Sequence, residues 1–170
     1  MPLVKATGTA KATRHAKTMI VQAEYAKGKS FLGAAILLRQ RACSEADEYV
    51  FRHLLCQAIE LILKSVLLAV NYDRFQPQLA TKLGHRLLKI ADEVHSICGI
   101  APLRAPIAKE LHLLDQAFST HRLRYASIVD VFVNPDSIHY RKTMRRLAAL
   151  VRVIERNGGI VLALEKLSHP

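Results

Sequence analysis

Four polar side chains, His53, Gln57, Glu60 and Lys64, fall within an arc of roughly 60° on the helix-length segment Tyr49 to Asn71, when successive residues turn by about 100°. Their types hold charge or exchange protons. Val50, Phe51, Leu54, Leu55, Ile59, Ile62, Leu63, Val66, Leu67 and Val70 fill the other directions, so the segment reads as a central helix whose polar stripe meets another helix or a cleft. Glu, Lys and His are costly to shield from water unless paired. The stripe is therefore the first candidate site.

A second pattern is electrostatic. Arg141, Arg145, Arg152 and Arg156 lie within about 60° of one another on a helical projection, with Lys142 and Arg146 on the adjoining side. Guanidinium groups at that spacing can grip successive phosphates without reading sequence. Together these residues form a candidate nucleic-acid surface; the bland alternative is a solvated face opposite the helix's apolar stripe.

Other chemistries find less support. Gly28-Lys29-Ser30 resembles the end of a phosphate-binding loop, but position 23 is Ala and no strand precedes it. His53 and Cys56 stand three apart, without a second pair to complete a metal site. Cys43, Cys56 and Cys98 share no CxxC spacing, which suggests neither a disulfide framework nor a zinc knuckle. No cofactor or metal is expected.

The 170 residues suit one domain with a sizeable core. A net charge of +11 and a pI near 9.9 favour an acidic partner. That charge is uneven. Residues 1–41 carry eight Lys/Arg against Glu24 alone, and residues 134–170 carry seven against three acids, whereas residues 42–73 have a net charge of −3. Gln57, Glu60 and Lys64 interrupt the best apolar run, so no membrane span is expected. The N-terminus lacks a signal-peptide core, and the expected location is the cytoplasm.

The elements that must position these residues are helices. Residues 1–13 read as a flexible basic arm and 14–170 as a single bundle domain. From Thr13 to Arg41, Met19, Ile20 and Ala23, then Phe31, Ala34, Ala35 and Leu38, show helical spacing; Gly28 and Gly33 leave open whether this is one helix or two. Ser44 and Asp47 predict a capped start near Glu45. Asn71 to Leu83 reads as a loop, because Asn, Asp and Pro cluster there. A helix from about Gly84 to Ile97 uses Leu87, Leu88, Ala91, Val94 and Cys98 as its apolar side, and Gly99 closes it. Pro102 and Pro106 mark a connection before a helix with Ile107, Leu111, Leu114 and Phe118 inward, ending near Thr120 or His121. His121 to Val133 favours an irregular or extended path. Asn134-Pro135 predicts the start of the last long helix, which carries Met144, Leu147, Ala148, Val151 and Ile154 to Gly158-Gly159, and IVLALEKL reads as a short helix. The fold class is all-α, an up-and-down bundle of four to five helices.

Three segments in this order, AIELILKSVLL (Ala58 to Leu68), GHRLLKI (Gly84 to Ile90) and RLRY (Arg122 to Tyr125), resemble HEPN-domain proteins over roughly residues 30–157. The resemblance implies a helical bundle that commonly dimerises, in a family linked to RNA binding, RNA cleavage and bacterial defence or toxin–antitoxin systems. It also implies a nucleotidyltransferase-like protein as a candidate partner. Catalytic members carry an Arg followed by four to six residues and a His. Here the nearest pair, Arg104 and His112, has seven residues between them.

Metal-independent RNA cleavage needs a group to take the 2′-hydroxyl proton and cations around the phosphate. His121, Arg122, Arg124 and His85 are the candidates for those roles, and Glu60, Lys64, His85, Arg124 and Tyr125 are the candidate binding residues. Two arrangements are open: a cleft in which His121, Arg122 and Arg124 face His53, Glu60, Lys64 and His85, or an interhelical network in which Glu60 pairs with Lys64 or an Arg and His85 caps or packs locally. With the Arg–His spacing missing, the expected function is binding of RNA, nucleotide or a protein partner without nuclease activity, in a homodimer. The alternatives are a divergent metal-independent endoribonuclease or toxin, and a structural protein-interaction module.

Overall fold

The computed structural model describes residues 12–41, 45–120, 123 and 139–168. Among them the chain forms seven α-helices and no strand. The arm at 1–11, the cap at Ser44, and the segment holding His121, Arg122, Arg124, Tyr125 and Asn134-Pro135 lie outside the described residues.

Helix α1 runs unbroken over Arg14–Arg41, 28 residues through both glycines. Thr13 starts it, its hydroxyl accepting the Ala16 N–H at 3.2 Å. The buried positions are Val21, Tyr25, Gly28, Leu32 and Ala35, a four-three alternation that draws a narrow seam along the helix. This corrects the expected face: Met19 and Ile20 are 52% and 40% exposed. Tyr25 and Gly28 do not look apolar in a sequence pattern, yet they carry the contact.

The seam packs on α2, Glu45–Val70. The two helices run antiparallel, because Lys17 reaches Asp73 at 2.6 Å just past one end and Arg39 reaches Glu48 at 2.5 Å at the other. Between those ties they approach closely. A Cβ placed on Gly28 would lie 2.7 Å from Ile62 Cγ1 and 3.0 Å from the Ile62 backbone nitrogen. Gly33, by contrast, has nothing within 4 Å of such an atom. The first glycine is a packing device and the second is not.

Helix α2 is the hub, contacted by α1, α4, α5 and α7. Phe51, Leu55, Ile59, Ile62, Val66 and Leu67 are among its buried side chains, while Val50 and Val70, near its ends, are exposed rather than core. Glu48–Val70 is in fact long and apolar enough to cross a membrane, contrary to the expectation from its polar interruptions. Its neighbours bury 61% of that stretch within the structure, as befits a core helix.

The segment expected to be a loop folds into helical turns: α3 (Tyr72–Phe75), a 3-10 turn (Gln76–Gln78) and a π-helical turn (Leu79–Leu83). The residues that suggested a loop serve as turn starters. Asn71 Oδ1 accepts the Arg74 N–H at 3.0 Å, and Pro77 sits at the start of the 3-10 turn. Phe75 and Leu83 anchor the path in the core, and Gly84 ends it at φ +52°.

Helix α4 therefore begins at Leu87 and runs to Ile97, burying Leu87, Ile90, Ala91 and Val94. Ile90 replaces the expected Leu88, which is only half-buried. Helix α5, Ala105–Ser119, buries Leu111, Leu114 and Phe118 against α2, α4 and α6. Helix α6 spans Arg141–Arg156, so it starts after Tyr140 rather than at the expected Asn134-Pro135; it rests on α5 and α7, and Gly158 and Gly159 at φ +87° and +93° turn the chain into α7, Ile160–Ser168. Lys29 of α1 reaches across to Glu155 of α6 at 2.8 Å.

Two consequences are measurable. Gly28→Ala should cost about 1–3 kcal/mol by overpacking the α1–α2 seam, whereas Gly33→Ala should stabilise by about 0.5–1 kcal/mol through helix propensity; urea-unfolding midpoints separate the two. Lys29, hydrogen-bonded to Glu155, holds that carboxyl below its usual range. Its contribution is therefore present above the ordinary carboxylate pKa and lost as pH falls through the lowered folded value. Because both side chains are about half exposed, Glu155→Gln should flatten the acid side of the stability curve by less than about 1 kcal/mol.

Candidate functional site

Two residues of the sequence stripe, Glu60 and Lys64, meet His85 from the turn before α4. Glu60 is 4% exposed. Its Oε1 accepts from Lys64 Nζ at 2.6 Å, and His85 Nδ1 lies 3.1 and 3.0 Å from its two carboxylate oxygens. Phe118 stands edge-on to the His85 ring, 5.8 Å between centroids, and lies at the same distance from His53. Of the two expected arrangements for Glu60, the pairing with Lys64 is present, and His85 joins it rather than capping a helix. His85 remains half-exposed.

The geometry explains why a carboxylate survives on the hub helix. A buried carboxylate is tolerated when its lone pairs are met by cations or hydrogen-bond donors. Lys64 supplies one by ordinary i,i+4 proximity, and His85 supplies another by bonding through Nδ1, which leaves Nε2 as its other ring nitrogen. The side chains of His121, Arg122, Arg124 and Tyr125, expected beside this network, lie outside the described residues.

The α6 residues are arranged as their spacing suggests. Arg141, Lys142, Arg145, Arg146, Arg152 and Arg156 are all exposed, while Thr143, Leu147 and Ile154 face inward. At the start of α6 the ridge runs into a basin of about 640 Å³ between α1, α2 and α6, lined by Arg39, Glu48, Arg52, Glu110, His139, Tyr140, Arg141, Lys142 and Arg145. Among the described residues permanent cations outnumber carboxylates five to two around it.

Both carboxylates already face donors or cations, although Glu48 Oε2 has no hydrogen-bond partner among the described residues. Glu110, buried on α5, accepts the backbone N–H groups of Lys142 and Thr143 at 2.9 Å each and the Thr143 hydroxyl at 3.2 Å, so a neighbouring helix caps α6. Glu48 holds Arg39 at 2.5 Å and Arg52 at 3.4 Å. The Tyr140 ring is wedged 4.5 Å from Phe51, with the Arg39 and Arg52 guanidinium carbons 5.6 and 5.9 Å from its centre. Burial, then Glu48, pushes the Tyr140 phenol above its ordinary value.

Arg52 is the residue that sequence reasoning missed. It is 1% exposed, and among the described residues its Nε and Nη1 have no hydrogen-bond partner. It sits next to the stripe between Phe51 and His53, and the one available signal was Glu48 four residues before it.

Other chemistry is limited. Cys56 is fully buried, its Sγ 4.0 Å from the Leu114 carbonyl, and burial raises its thiol pKa far above neutrality, so it is no nucleophile. Among the described residues no three His, Cys, Asp or Glu side chains converge as metal ligands. An apolar cavity of about 270 Å³ between α2, α4, α5 and α6 includes Leu63, Val94, Leu111 and Leu150, with His95 and Arg146 at its polar positions. Neither it nor the basin includes Glu60, Lys64 or His85.

If Glu60 organises its neighbours, Glu60→Ala should cost about 3 kcal/mol, because Lys64 is left nearly buried without its partner. His85→Ala should cost under about 1 kcal/mol, since a half-exposed ring gains little from the pair. Urea denaturation of both variants tests that asymmetry. Compared with known protein families, with curated proteins and with solved structures, this chain matches none.

Proposed function

We propose that the protein is an HEPN-like helical bundle that binds RNA through the basic ridge of α6 and acts by holding RNA rather than cutting it. One observation carries the reading: the α6 arginines are exposed on one side of a helix and lead into a concave basic basin. From Arg145 to Arg156 the ridge extends about 16 Å, enough for several phosphates in succession. The contacts would be with phosphate and so carry no sequence preference.

The HEPN-like part is supported by the meeting of Glu60 and Lys64 with His85, residues drawn from two of the three matching segments. With it go a cytoplasmic location, a homodimer, a nucleotidyltransferase-like partner, and a role in bacterial defence or a toxin–antitoxin pair. The lean against cleavage rests on the absent Arg–His spacing.

A second reading, metal-independent RNA cleavage, is favoured by the Glu60–His85 pair, since a carboxylate on Nδ1 is how an imidazole is oriented as a general base. Incubation of pure protein with RNA in EDTA decides between them. Intact RNA is the expected result; cleavage lost in His85→Ala would establish the second reading.

For the ridge, fluorescence anisotropy with labelled single-stranded RNA should show affinity falling steeply with salt. Arg145→Ala and Arg152→Ala should each reduce the slope of log K against log salt by about 0.7, one phosphate contact apiece. An unchanged slope in both variants would remove α6 from the interface.

A further inference from the structure

We infer that the basin at the start of α6 is a site for a phosphomonoester, with the buried Arg52 guanidinium as its floor. This deepens the RNA-binding reading, since it names the chemical group that the basic surface ends on. It also stands on observations of its own.

The first is the state of Arg52. A guanidinium taken out of water loses its hydration and requires compensation from acceptors or an opposite charge. Among the described residues Arg52 has a single carboxylate contact, Glu48 at 3.4 Å, and Glu48 is shared with Arg39. Nε and Nη1 are left without hydrogen-bond acceptors among the described residues. The Tyr140 ring, 5.9 Å from the guanidinium carbon, offsets part of the charge but satisfies no N–H.

The second is the rim. Arg39, Arg141, Lys142 and Arg145 surround the opening, and each is partly or largely exposed. Glu110 is committed to capping α6, and Glu48 is hydrogen-bonded to Arg39 through Oε1 with its Oε2 ion-paired to Arg52 at 3.4 Å, so the rim cations Arg141, Lys142 and Arg145 have no ion pair with either carboxylate among the described residues. The positive excess suits a doubly charged anion. Arginine forks match the oxygens of a phosphate in pairs, and the Tyr140 hydroxyl adds a donor type.

Size gives the third. A basin of about 640 Å³ exceeds what a bare phosphate ion fills; it lies in the range of sites that take small organic ligands. A phosphomonoester carried on a larger body fits both the volume and the charge. Two sources share that chemistry: the phosphorylated end of an RNA strand whose backbone follows the ridge, and a free nucleoside monophosphate.

The experiment uses two matched pairs: one RNA sequence with a 5′-phosphate or a 5′-hydroxyl, and AMP against adenosine, each titrated into the full-length protein. In at least one pair the phosphorylated member should bind about tenfold tighter, and the pair that shows it names the source. Arg39→Ala and Arg52→Gln should abolish the preference. Arg39 is partly exposed, so its variant keeps the test valid even where Arg52→Gln fails to fold. Arg152→Ala should weaken both RNAs alike and leave their ratio intact. A preference for AMP with no binding of either RNA would sink the ridge and leave the basin standing. Equal affinities within both pairs, or a preference that persists in Arg39→Ala and folded Arg52→Gln, would overturn the phosphomonoester site.

Discussion

The close approach of α1 to α2, where Gly28 admits Ile62, allows one helix to serve as the centre for all the others. A side chain at position 28 would drive the pair apart in the middle of the seam, since a Cβ there would stand 2.7 Å from Ile62 Cγ1. With the seam closed, Val21, Tyr25, Leu32 and Ala35 cover one face of α2, and α4, α5 and α7 are left to cover the rest. A helix apolar enough to cross a membrane becomes a core element only because so many neighbours surround it. Burying its largest apolar side chains contributes about 1.5–3 kcal/mol apiece, and each contribution depends on that enclosure.

Enclosure creates the two charged problems of the molecule, and they are solved differently. Near the middle of α2, Glu60 has partners from its own helix and from the turn before α4. At the end that meets α6, Arg52 shares Glu48 with Arg39, and among the described residues its Nε and Nη1 have no hydrogen-bond partner. A satisfied buried ion chiefly favours one packing over others, whereas an unsatisfied one has free energy to gain from a ligand. Glu60 and Lys64 of the stripe thus form a paired network with His85, and Arg52 beside the stripe has the greater reason to bind something.

How much of this was legible follows from what each signal depends on. Helices α4, α5 and α6 advertise themselves through wide apolar faces at helical spacing, and Gly99 and Gly158-Gly159 mark stops that do take positive φ. The α1 seam was obscured because its contact residues include a tyrosine and a glycine; which glycine breaks a helix and which admits a neighbour depends on the partner helix. Asn71 and Pro77 were read as part of a loop, but they initiate short helical turns held by Phe75 and Leu83, a tertiary effect that local chemistry does not announce. Arg52 escaped notice because arginine is seldom fully buried, and its burial depends on Tyr140, eighty-eight residues away by the numbering.

The capping of α6 by Glu110 bears on how its basic surface works. An uncapped helix N-terminus attracts anions through its free N–H groups and its dipole. Here two of those N–H groups are taken by a buried carboxylate of α5, which also supplies a negative charge at the positive end. The pull of this region on an anion must therefore come from the side chains of Arg39, Arg52, Arg141, Lys142 and Arg145 rather than from the helix end. The same carboxylate fixes where α6 begins relative to α5, and with it the positions from which Arg141 and Lys142 extend. One buried acid thus lowers the local field while it sets the geometry of the cations that restore it, so the charge of the basin and the docking of α6 are physically coupled.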